Sequence, residues 1–144
     1  MNRNLAVALM AIVMQFAAPA TARAADIDAH TKYLAFIEAF QYFFEYCQAE
    51  TQLPEAQVRY ARDHIGERRA LIFTGLNEGE RKKIAEEAGA KKWEMVEYVL
   101  SYVRKNKLDM PLGDMCRQGF FEGIMDSERR DEEKEVDAIR KAKL

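Results

Sequence analysis

From His30 to Glu50 the apolar positions Tyr33, Phe36, Ile37, Phe40, Phe43, Phe44 and Cys47 return every three or four residues. Because 3.6 residues complete a helical turn, that spacing puts them on one face of a helix. Glu38, Gln41, Glu45 and Gln48 form a narrow polar stripe opposite, while Ala39, Tyr42 and Tyr46 widen the apolar side. The predicted helix is therefore buried over more than half its circumference and makes the centre of the core.

Weaker versions of the pattern follow. Pro54 suits a first helical turn, and Val58, Ala61, Ile65 and Ile72 trace a second face. Gly66 is predicted to kink or divide that helix and Gly75 to end it. Asn77 and Glu80 have the spacing of a capping box, opening a short third helix that Gly89 is predicted to terminate. Lys91 to Asn106 reads as a further amphipathic helix, with Trp93, Val96, Val99, Leu100 and Val103 inward and Glu94, Glu97, Ser101 and Lys105 outward.

Pro111 opens the last helix, on which Leu112, Cys116, Gly119, Phe120 and Gly123 share a face. A glycine inside a helix costs about 1 kcal/mol relative to alanine, so two on one stripe call for a packing partner. The rings of Phe40 and Phe43 on an antiparallel first helix are the predicted partners. No stretch shows sustained period-two alternation. The expected fold is all-α: a single small bundle of four to five helices, with a disulfide between the first and last core helices.

The two ends of the chain differ from its middle. Arg3 precedes an apolar run from Leu5 to Ala18, Pro19 breaks it, and Ala22-Arg23-Ala24 offers the small residues of a cleavage site. Residues 1–24 are thus expected to be a bacterial signal peptide, too short in its apolar stretch for a membrane span. The mature chain is expected to be periplasmic or secreted. At the other end, 12 of the 18 residues from Ser127 to Leu144 are charged. Residues 25–126 are then the bundle domain and 127–144 a charged C-terminal extension, solvated and fraying or docked on a partner through Val136 and Ile139.

Removing the leader leaves 120 residues, with 20 basic against 24 acidic side chains, a formal charge of −4. That length suits one core, and that charge gives no general attraction to nucleic acid or anionic lipid. Both cysteines of the chain, Cys47 and Cys116, lie in the mature part. In an oxidising compartment they are expected to pair. Neither belongs to a Cys-x-x-Cys motif, so the bridge reads as a staple and not as a redox centre.

The search for chemistry returns little. His30 and His64 lack the spacing of zinc or haem ligands, and Asp26, Asp28 and His30 alternate at a terminus where fraying is the ordinary explanation. Ser101 and Ser127 have no nucleophile-elbow context, and the carboxylate pairs sit in charged runs. No enzyme activity, cofactor or metal is expected. Two function classes remain. The first is a non-catalytic protein-binding module of the cell envelope, of the inhibitor, immunity, chaperone or assembly-factor type. Its candidate surface is Tyr42, Tyr46, Phe121 and Met125, with Arg59, Arg62, Arg68 and Arg69 giving the second helix a basic character suited to an acidic partner. The alternative is a carrier for a small apolar ligand, since seven of the fourteen mature aromatics fall between Tyr33 and Tyr46.

Overall fold

The computed structural model describes residues 23–106 and 109–141. The apolar run of the predicted leader lies outside the described residues. Five helices and no strand occur among those described: α1 Arg23–Glu50, α2 Glu55–Phe73, α3 Glu78–Lys105, α4 Leu112–Arg117 and α5 Phe120–Lys141. The all-α bundle expected from the periodicity is the fold observed.

Helix α1 is the hub and touches each of the other four. Its apolar face is buried as the spacing requires, with Tyr33, Phe36, Ile37, Phe40, Phe43 and Cys47 all at 5 % exposure or less. The short link after Glu50 turns α2 back antiparallel beside it, so that Phe40 meets His64 and Glu38 meets Arg69. Pro54 caps α2 from just outside its first turn, and Gly75, at φ +79°, follows its end in the left-handed conformation glycine adopts without penalty.

Three expectations are corrected here. Gly66 neither divides nor ends α2, which is one helix of 19 residues. Gly89 does not end a short third helix either: α3 continues through it for 28 residues. The good helix formers around Gly89 and the unbroken seating of Ile84, Ala88, Met95, Val96 and Val99 outweigh about 1 kcal/mol of glycine penalty. The start of α3 is as expected. Asn77 accepts from the Glu80 amide at 2.9 Å while Glu80 accepts from the Asn77 amide at 3.0 Å, a complete capping box.

The third correction concerns the end of the bundle. Gln118 and Gly119 interrupt the predicted last helix, with Gly119 at φ +83°, and so separate α4 from α5. The Cys47–Cys116 bridge is present, with Cα atoms 5.1 Å apart, and it pins α4 to α1. The rings of α1 do not rest on Gly119, however. Phe43 meets Phe120 at 5.4 Å, and Phe121 meets both Phe40 (5.4 Å) and Phe44 (5.6 Å). A Cβ built at Gly119 would find only the Glu122 carboxylate, at 3.7 Å. Gly119 is therefore required by its backbone angle and not by close packing.

The charged C-terminal stretch is also not a separate solvated piece over the residues described. It is the continuation of α5 to Lys141, and Ser127, Glu128, Asp131 and Ile139 are buried. Pairs between α5 and α2 advance in the same sense, from His64–Glu128 to Arg68–Glu132.

Candidate functional site

Two clusters stand out, one at the surface and one inside. The surface cluster forms where α1 and α3 meet. Tyr42 and Tyr46, one turn apart on α1, have ring centroids 6.1 Å apart, and Trp93 of α3 meets Tyr42 edge-on at 5.2 Å. Trp93 is nonetheless half exposed, at 50 %. Its assignment to the inward face is corrected: the buried stripe of α3 runs through Met95, Val96, Val99, Leu100 and Val103, and Trp93 falls on its flank. The Lys92 ammonium lies 4.6 Å from the indole centroid, a cation–π contact. Desolvation within the patch, with smaller contributions from Tyr46 and the Glu97 charge, pushes the Tyr42 hydroxyl above its usual range. An exposed indole set against the first of two neighbouring tyrosines has the composition enriched at the centres of protein interfaces.

The other candidate surface residues are scattered by the fold. Phe121 and Met125 are buried, at 0 % and 2 % exposure, Phe121 against the Phe40 and Phe44 rings and Met125 within the hydrophobic core. They offer nothing to a partner in this conformation. Arg59 is exposed and 3.7 Å from Glu55, Arg62 is exposed, and Arg69 lies 3.9 Å from Glu38, one turn before Tyr42 on α1. Arg68 is at 5 % exposure and is withdrawn from that basic surface altogether.

Arg68 belongs to the inner cluster, between α2 and α5. Its Nη2 donates to Glu132 Oε1 at 2.9 Å. One turn away, His64 Nε2 lies 3.2 Å from Glu128 Oε2, with both side chains at 4 % exposure or less. The Tyr60 ring stacks on the His64 imidazole at 5.5 Å, and the Arg129 guanidinium lies over the other partner in that stack, 4.4 Å from the Tyr60 centroid. Burial pushes the Glu128 carboxyl up to about 8; Arg68 pulls it down, while Asp131 and Glu132 push it further up. Burial, helped by the charges of Glu128 and Glu132, pushes the Tyr60 hydroxyl up to about 12.

A histidine and a raised carboxyl side by side resemble an acid–base pair in composition, but substrate has no approach to side chains this deeply covered. At the start of α1, His30 is buried, and Asp28 pairs with Lys32 (2.7 Å) and Lys91 (3.2 Å), which hold its carboxyl below the usual range. No cluster of three metal-ligating side chains occurs among the described residues. A cavity enclosed by Phe36, Ala39, Phe40, Phe43, Met95, Val99 and Ile124 has a volume of about 10 Å³, room for a single water. Among the described residues no helix is long and apolar enough to cross a membrane.

The chain matches no protein-family model, no curated protein and no solved structure.

Proposed function

We propose that this chain is an exported, non-catalytic protein-binding module of the bacterial cell envelope, and that it docks its partner on the Tyr42–Tyr46–Trp93 patch. The half-exposed indole carries this reading. A large ring left in water, braced edge-on by Tyr42 and so already ordered, loses little conformational freedom when a partner covers it. The buried disulfide supports a working life in an oxidising compartment. The ligand-carrier alternative finds less support. The aromatics of α1 fill the space between the helices, and the cavity of about 10 Å³ beside them falls far below the roughly 300 Å³ at which ligand pockets begin.

The test is a photo-crosslinking residue placed at position 93 in living cells of the native host, with position 66, exposed on α2, as the control. A discrete adduct from position 93 that is missing from position 66 is the expected result. Equal labelling from both positions, or no adduct from position 93 across growth conditions, rejects the docking surface. Trp93→Ala should abolish the same association while the thermal melt of the purified protein shifts by no more than about 1 kcal/mol, as for a surface side chain.

A further inference from the structure

Glu128 Oε2 and His64 Nε2 face each other across the α2–α5 interface at 3.2 Å, out of contact with water. Each atom is a hydrogen-bond acceptor when it carries no proton. A neutral imidazole keeps one N–H and can turn it to Nε2, but an ionised carboxyl beside it leaves the pair a net negative charge that burial keeps from water. The pair is balanced in charge only while carboxyl and imidazole share one further proton.

We propose that residues 127–141 of α5 form a latch on α2, closed while the Glu128–His64 pair holds its shared proton and opened by local unfolding when that proton is lost. The break falls after Asp126 because the contacts change there. Phe120, Phe121, Ile124 and Met125 are buried among rings and aliphatic groups, whereas the buried positions beyond them are Ser127, Glu128, Asp131 and Ile139.

The groups facing the pair set the pH at which it opens. α2 contributes Tyr60 and Arg68, α5 contributes Arg129, Asp131 and Glu132, and α1 contributes the Phe40 ring, 5.2 Å from the imidazole. Burial is the largest influence, holding the Glu128 proton until about pH 8, whereas the same carboxyl ionises near 4.5 once open to water. A carboxyl raised by folding supports the closed state fully below its open-state value, and that support falls as pH climbs toward its closed-state value. A histidine open to water takes up a proton below about pH 6.5, so closed and open pairs hold equal numbers of protons there. Opening should therefore increase about tenfold per pH unit only between about 6.5 and 8 and level off above, where the pair has lost its proton in both states.

Amide hydrogen exchange on the full disulfide-bonded chain, corrected for the intrinsic pH dependence of exchange, tests this from about pH 5 to about pH 9. Protection of residues 127–141 should fall by about tenfold per unit between about pH 6.5 and 8 while residues 120–126 hold theirs. In Glu128→Gln the amide can still donate to His64 but cannot ionise, and protection of the segment should no longer fall between about pH 6.5 and 8. A carbon-detected NMR titration of the Glu128 carboxyl in the unaltered protein covers the case in which that variant does not fold, with a midpoint near 8 expected. A midpoint near 4.5, pH-independent protection of 127–141, or an equal fall in 120–126 overturns the latch.

Discussion

Phe121, at the start of α5, rests between the rings of Phe40 and Phe44, whereas Glu128, two turns further along the same helix, faces His64 and Arg68. Both positions are at 4 % exposure or less, so burial alone does not distinguish them. What differs is the source of stability. Ring contacts are apolar and carry no titratable group, so they are indifferent to pH. The second set of contacts is worth having only while every buried group keeps its proton or its counter-charge, because an unpaired charge in that setting costs more than the pair returns. One helix thus carries a permanent half and a conditional half, and Gly119 joins both to the stapled α4.

The comparison can be broken first at its permanent end. Phe121→Ala should destabilise the fold by about 3–5 kcal/mol, the range for deleting a buried ring. Thermal melts at two pH values should show the same loss at each. A loss that changes with pH would mean the two halves are coupled.

Replacing Cys47 and Cys116 together with serine removes the closure of a loop spanning 69 residues in sequence. The expected loss is about 4 kcal/mol by the chain-entropy estimate, read from denaturant midpoints of the oxidised protein and the double variant. Because the bridge acts on the unfolded chain, this loss too should be independent of pH.

Arg68→Met should cost less, about 1–3 kcal/mol, since the side chain keeps its bulk and Glu132, 44 % exposed, can turn to water. Its signature is the pH profile. Arg68 is the charge that draws the Glu128 carboxyl downward, so its removal should move the Glu128 midpoint above about 8. NMR titration of the variant checks the direction; a downward move would contradict the assigned network.

Gly119→Ala is the smallest effect, a loss of about 1–2 kcal/mol from forcing a Cβ into the left-handed region at φ +83°. A Cβ there meets only the flexible Glu122 carboxylate, at 3.7 Å, so the backbone angle sets the loss for alanine. Parallel melts of alanine and leucine variants should differ by less than that loss. A much larger penalty for leucine would revive close packing as the reason for the glycine.

The repeating stripe on α1, the capping box at Asn77 and the pairing of the two cysteines were legible in the sequence, because each depends on residues within a turn of one another or on composition alone. Gly89 and Gly119 show where that legibility stops. Both are glycines in helical patterns, yet one is absorbed in the middle of α3 and the other breaks the chain into α4 and α5. The outcome rests on the surface each segment packs against, which local spacing does not encode. Trp93 was misplaced for a related reason, since a residue on the flank of an apolar stripe is settled by where the neighbouring helix lies. The His64–Glu128 and Arg68–Glu132 pairs join positions 64 residues apart, and nothing near either partner announces the other. A run of charges normally reads as solvent-facing, and only the tertiary fold of α2 against α5 turns part of this one inward.

The covered sulfurs set the terms on which the staple can be undone. Cys47 is at 0 % exposure and Cys116 at 3 %. A thiolate must approach along the sulfur–sulfur axis to displace one partner, and that line of attack is closed while α4 is seated on α1. Reductant must wait for α4 to lift. Once reductant is abundant, the speed of bridge cleavage measures how often that short helix leaves its place, which turns thiol exchange into a clock for the motion of the segment that anchors the entire C-terminal helix.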